Sequence, residues 1–306
     1  MKKTGFFYEL KKNHILFLMA LPSILLVILL QYIPMAGIIL AFKDYRFDLG
    51  VFKSPWNGFE NFRFFFISGT GLLVTRNTIL YNLMNLITAH AFAIAIAIVI
   101  NEIKGKYFKK VTQSIIFLPY FISWIIVGAF VYNIFNYETG ALNTLLKAMN
   151  MNPVNLYSIP YVWIFIICFF HAWKWVGYLS VVYIAAITNV PTECFEAADI
   201  DGANVFQKIF HITIPSITPT IIIMLLLGLG RVLRGDFQMF YQIVGNNGQL
   251  FNATDVIDTF VFRSLITSGD ISMPAAATFF QSVLCLVIIM TVNGVIKKVS
   301  PDNSLF

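Results

Sequence analysis

Four residues of one apolar stretch combine hydrogen-bonding and aromatic groups where neither is needed for solubility. His171, Lys174, Trp175 and Tyr178 are spaced i, i+3, i+4 and i+7, with Trp173 beside them. In a helix that spacing puts the four on one face. An ionised side chain at the middle of a bilayer costs about 2.5–3.5 kcal/mol on insertion scales, so such residues face a cavity or a partner. Aromatic rings next to hydrogen-bonding groups suit sugars, whose C–H faces are apolar and whose hydroxyls are not. A structural reading uses the same residues: Lys174 makes a structural pair or reaches carbonyls between helices, and the rings pack. Residue types alone allow either. Arg231, Arg234, Asp236, Gln238 and Tyr241, after the fifth apolar stretch, read as the lining of an outer mouth or as a solvated loop. Gln281, beside Phe279 and Phe280, is a similar case. His90 and Asn85 read as hydrogen-bonders between helices.

Covalent, metal and nucleotide chemistry find no matching constellation. The 4 histidines are scattered without an HExxH, nearly all of the 15 acids lie outside the apolar runs, and the 3 cysteines show no CxxC or metal spacing. A phosphate cradle needs GxxxxGK[ST], but Gly105-Lys106 is followed by Tyr107 and preceded by Ile100 where glycine is required. The expectation is therefore a chain that is not an enzyme and binds no metal or cofactor of its own. Its net charge of +6 is better explained by lysines bracketing apolar spans than by nucleic acid.

The elements that position these residues follow from composition. With 58% hydrophobic and only 12% charged residues, against about a quarter charged in soluble domains, this is a polytopic membrane protein. About 20 apolar residues cross a bilayer as a helix, and six candidates emerge: about 15–42, 78–100, 111–135, 157–187, 212–230 and 275–296. The first is too long for a signal peptide. The expected fold is all-α, with prolines 22, 34, 119, 160, 215 and 219 marking kinks or helix starts. Lys2, Lys3, Lys11 and Lys12, with Lys104, Lys106, Lys109 and Lys110, place the amino terminus and the link after the second span in the cytoplasm by the positive-inside rule. Six spans then put 188–211 and the carboxyl terminus inside as well. The first outer segment, with Phe47, Phe52, Trp56, Phe59, Phe62 and Phe64-Phe65-Phe66, is too aromatic for a solvated linker and is expected on the membrane interface or against other outer loops.

The segment 188–211 departs from the positive-inside pattern, since Glu193, Glu196, Asp199 and Asp201 outnumber Lys208. Pro191 and the early acids suit a helix start, and Gly202 a helix end or a close approach. Two short helices with a bend would expose Phe195, Ala198 and Phe206, a face that calls for a partner. A helix lying on the bilayer would instead carry Lys and Arg on its polar side.

The order Glu196-Ala197-Ala198, three residues, Gly202, nine residues, Ile212, one residue, Ile214-Pro215 resembles the EAA signature of binding-protein-dependent ABC importer permeases, with Ile214 in place of the family's leucine. Tyr32-Ile33-Pro34-Met35, Ala41-Phe42-Lys43-Asp44-Tyr45, Arg76-Asn77-Thr78, Phe117-Leu118-Pro119, Trp173-Lys174 and Asp255-Val256-Ile257-Asp258-Thr259 are similar to the LplB-like polysaccharide and oligosaccharide subgroup. The resemblance implies a type I importer permease fold, with a cytoplasmic segment 1–14 and one transmembrane domain over 15–306. It implies a coupling helix, with Glu196, Ala197, Ala198, Asp199, Gly202 and Ala203 seated on a cytoplasmic ATPase. It also implies a second, related permease, two ATPase subunits that hold ATP and Mg, and an extracellular binding protein delivering a carbohydrate, lipid-anchored in a Gram-positive source. A secondary transporter or channel would instead require inverted repeats and acids within the spans. An integral membrane enzyme would require a catalytic constellation.

Overall fold

Long apolar runs removed from water must satisfy every backbone group internally, and helix is the local solution. The computed structural model describes residues 6–67, 69–103 and 105–299. Lys2, Lys3, Lys104 and the side chain of Phe64, used above, lie outside what is described. In chain order the main helices are α1 (Phe6–Lys12), α2 (His14–Phe42), α3 (Glu60–Ile67), α4 (Thr70–Glu102), α5 (Lys106–Phe121), α6 (Trp124–Phe135), α7 (Ala141–Ala148), α8 (Val162–Thr188), α9 (Thr192–Ile200), α10 (Val205–Leu229), α11 (Phe237–Val244), α12 (Ile257–Ser268) and α13 (Ser272–Val299). Among the described residues there is no strand, only an isolated bridge between Lys43 and Trp56.

Helices α2, α4, α8, α10 and α13 are long and apolar enough to cross a membrane, and α5 with α6 makes a sixth only as a bent pair. This corrects the expectation of a continuous third span over 111–135. The two halves meet at 92°, because Pro119 falls in a tight 3-10 turn, Ile122 is extended, and Ser123 restarts the helix by accepting the Ile126 N–H on Oγ. Other boundaries shift for local reasons. Left-handed Gly69 (φ 73°) lets α4 begin before Arg76, and α8 begins only after Pro160. The fifth span starts at Val205 rather than 212, because nothing after the Asn204 cap stops the helix. A π-turn at Ile209–Thr213 accommodates Pro215, as Ile28–Tyr32 does before Pro34.

The centre of the bundle is α4 against α8, and they run parallel. Tyr81 packs with Ile166 and Cys168 near their starts, and Ala89, Ala93 and Ala97 pack with Leu179, Tyr183 and Ile187 further along. Small residues on α4 let the two backbones approach. One end of the bundle therefore holds the end of α4 and the segment after α8, and the other holds the long connections with α7, α11 and α12. A third cluster joins Phe65, Val74, Ile257, Phe260 and Ala277. Phe42 and Phe62 pack on Phe279, whereas Phe59, which touches Phe42 and Phe62, remains exposed with Phe47, Phe52 and Trp56. Only part of the aromatic connection thus lies against other elements. By contrast, α2 is almost wholly exposed.

Candidate functional site

The break between α5 and α6 organises the first candidate region. A helix end leaves carbonyls without intrahelical donors, and here the donor comes from α8. Lys174, 8% exposed, directs its Nζ to the carbonyl oxygens of Tyr120 (3.0 Å), Pro119 (3.5 Å) and Ile122, and lies 5.2 Å from the centre of the Trp124 ring. Lys174 thus reaches carbonyls between helices, one of the two arrangements its position allowed.

The same helix face carries the rings. Tyr178 stacks on Tyr120 at 4.9 Å and 15°, and Trp175 meets both edge-on, at 5.5 Å from Tyr120 and 6.0 Å from Tyr178. His171 lies 6.3 Å from Trp175. Tyr178 is exposed and Trp175 half-buried, so this shelf opens at the surface of the chain. Tyr120 was missed in the sequence, although an aromatic directly after Pro119 in a polar-interrupted span was an available signal. Trp173 is not part of the shelf. It lines an open apolar groove of about 650 Å³ with Phe92, Phe169 and Thr88. His90 does bridge helices, its Nδ1 lying 2.7 Å from the Tyr183 hydroxyl. Asn85 Oδ1, Tyr81 Oη and His171 Nδ1 are buried without a hydrogen-bond partner among the described residues.

The shelf depends on a close approach at Gly177. A Cβ there would meet the Ile116 carbonyl oxygen and lie 2.7 Å from Phe117 Cα, both backbone atoms that cannot step aside. Gly177→Ala is therefore expected to destabilise the chain by about 1–3 kcal/mol, read as a lower thermal midpoint of the purified protein. An unchanged midpoint would show that α5 and α8 are not held this closely.

Adjoining this corner through Trp124, the residues proposed for a mouth divide into fixed and free. Asp236 accepts the Trp124 indole N–H at 2.7 Å and caps α11 through Met239 N at 3.1 Å. Gln281 donates to the Leu233 carbonyl and to Asp258 Oδ2 (3.2 Å), which also accepts Gly235 N–H at 2.8 Å. Burial pushes the Asp258 carboxyl above its ordinary range, against the pull of those two hydrogen bonds. Tyr241 packs between Phe237 and Phe262. Arg231, Arg234 and Gln238 are exposed. Sequence reading gave Arg263 no role, yet, itself half-buried, it closes an ion pair with the buried Asp255 at 2.5 Å and stacks 3.9 Å from the Phe251 ring. Thr259 donates to the same carboxylate at 2.8 Å. The offsets 255, 259 and 263 were the signal: Thr259 and Arg263 share a face of α12, and Asp255 stands just ahead of its start.

The segment after α8 forms the second region. Pro191 precedes α9, which ends at left-handed Gly202 (φ 75°). Ala203 N–H bonds to Ala198 O (2.9 Å) and Gly202 N–H to Asp199 O (3.2 Å), the paired bonds of a Schellman end. The spacing Ala198 to Gly202 is thus the spacing this turn requires. Asn204 and Gln207 then exchange side-chain and backbone hydrogen bonds at 2.9 and 2.7 Å in a capping box, and Lys208 bonds Asp199 across the turn at 2.7 Å. The bend is fixed from both sides. Its outer face is open: Glu196 and Ala197 are exposed, Ile200 is 87% and Phe206 72% exposed.

Comparison with known proteins agrees with this geometry. A family model described as the inner membrane component of binding-protein-dependent transport systems matches residues 93–302. Protein LplB of Bacillus subtilis (strain 168) is 32% identical over 99% of this chain and 94% of its own. The polygalacturonan/rhamnogalacturonan transport system permease protein YteP of the same strain is 30% identical with the same coverage. Among solved structures, a chain of a bacterial ABC transporter involved in the import of the acidic polysaccharide alginate superposes with a TM-score of 0.86 at 30% identity, covering 96% of this chain and 99% of that one. The alginate transporter in complex with an alginate pentasaccharide-bound periplasmic protein gives 0.85, covering 96% and 98%.

Proposed function

We propose, from the premise that this chain belongs to the family of binding-protein-dependent transport system inner membrane components, that it is the membrane-spanning subunit of an ATP-driven importer for an oligosaccharide released from a polysaccharide. The end-to-end likeness to a chain of the alginate transporter carries this reading. Both termini and the 189–204 bend face the cytoplasm, where Glu196 to Ala203 dock on an ATPase subunit. ATP and Mg belong to that subunit, since this sequence has no phosphate cradle. A second, related permease completes the pathway, and a binding protein outside delivers the sugar. The shelf of Tyr120, Trp175 and Tyr178 offers apolar ring faces to the sugar's C–H surfaces, with His171 behind them.

The test is reconstitution with the two ATPase subunits, the second permease and the oligosaccharide-loaded binding protein. Uptake and substrate-stimulated ATP hydrolysis are expected from that assembly, and a chain that retained no ATPase partner would refute the assignment. Trp175→Ala is expected to lower uptake about tenfold, equivalent to about 1.4 kcal/mol, while the complex stays assembled. Wild-type uptake in that variant would remove the shelf from the pathway.

A further inference from the structure

We propose that Lys174 is a positioning residue that turns the break between α5 and α6 into a fixed corner and thereby holds the aromatic shelf in register. The inference rests on the shelf reading only for its effect on transport. Three backbone carbonyls, of Pro119, Tyr120 and Ile122, converge on one ammonium, and an ammonium has three N–H donors. Donor count and acceptor count match. The Pro119 carbonyl also accepts the Ile122 N–H at 3.1 Å, while the Tyr120 and Ile122 carbonyls, left open by the break, take their donor from another helix. The Trp124 ring, first residue of α6, lies 5.2 Å from the same nitrogen, a cation–π contact from the far side of the corner. Its indole N–H bonds Asp236, the cap of α11. One lysine therefore ties the end of α5, the start of α6 and, through Trp124, α11 to α8.

The consequence for the shelf is direct. Tyr120 has its carbonyl held by Lys174 and its ring stacked on Tyr178, one turn along α8 from that lysine. Backbone and ring are fixed by the same helix, so the spacing of Tyr120, Trp175 and Tyr178 is set before any sugar arrives. When the bundle rearranges, α5, α6 and α8 move as one body.

Spin labels at exposed Ser114 and Asn133, on opposite arms of the corner, test this by double electron–electron resonance in the full reconstituted complex. One narrow distance is expected in the nucleotide-free and ATP-bound states alike. A shift of about one helical turn, ~5 Å, between those states would make the break a hinge and overturn the proposal without any substitution. Lys174→Met, which keeps the unbranched stem and removes the ammonium donors, should broaden the distribution and raise the KM of uptake about tenfold more than it lowers kcat. Lys174→Arg should restore the narrow distribution. A Met variant as narrow as wild type, or an Arg variant as broad as Met, overturns the donor role. Normal uptake in Trp175→Ala, beside a broadened Met variant, would support the clasp while ending its connection to the shelf.

Discussion

Gly202→Leu is expected to abolish coupled uptake while leaving the chain in the membrane. Gly202 has φ 75° and no atom within 4 Å of where a Cβ would stand, so within this chain alanine and leucine pay a similar left-handed strain, about 1–2 kcal/mol. Alanine and leucine should then be equally tolerated by the fold itself. If residues 196–203 are seated in an ATPase cleft, leucine carries an additional clash, and uptake should fall at least about tenfold, about 1.4 kcal/mol, below the Gly202→Ala variant. Gly202→Asn isolates the strain, since asparagine enters the left-handed region more readily than other residues. Asn204 is no substitute as a bulky control, because its side chain closes the capping box with Gln207. The measurements are co-purification of the ATPase and transport per ATP hydrolysed. Full association and coupling in Gly202→Leu would show that this bend is not the force-transmitting contact.

Arg263→Met is expected to be the most destabilising change at the opposite end of the bundle. Asp255 has a side chain only 3% exposed and is satisfied by Arg263 at 2.5 Å and Thr259 at 2.8 Å. Removing one member of a buried pair leaves an uncompensated charge, at a cost of about 3–5 kcal/mol. The loss spreads through the backbone, because Asn77 Nδ2 donates to the carbonyls of Asp255 (3.0 Å) and Asn252 (3.3 Å), and Ile257 N–H donates to Thr78 Oγ1 at 2.9 Å. The start of α4 and the 251–259 turn are one unit. Thermal unfolding in nanodiscs should show a large drop for Arg263→Met and a partial recovery on adding Asp255→Asn, which removes the stranded charge. An unshifted midpoint in the single variant would show that the pair bears no load.

The membrane spans were legible because hydropathy needs only composition over about 20 residues. The 92° corner was not, since residues 111–135 remain apolar on both sides of it and Pro119 is common to kinked and unkinked spans. The turn at Gly202 could be read because its cause is local: a glycine four residues beyond Ala198. Lys174 was ambiguous for the opposite reason, as a ligand contact and a carbonyl clasp call for the same residue on the same helix. The matched segments 76–78 and 255–259 looked independent in sequence. Their relation is three-dimensional, through Asn77 and Thr78, and no periodicity encodes it.

The corner also constrains how the protein is made. Lys174 follows the carbonyls it holds by 52 to 55 residues, which at 5–20 residues per second is roughly three to ten seconds of synthesis. Throughout that interval the carbonyls of Tyr120 and Ile122 lack the donor that Lys174 brings, and hydrocarbon provides none. Residues 106–135 and 162–188 are therefore expected to leave the insertion machinery for lipid as a pair, with the earlier segment held in a polar environment until the later one arrives. Loss of the lysine is therefore expected to lower the yield of inserted chain, in addition to its effect on transport by the chain that does insert.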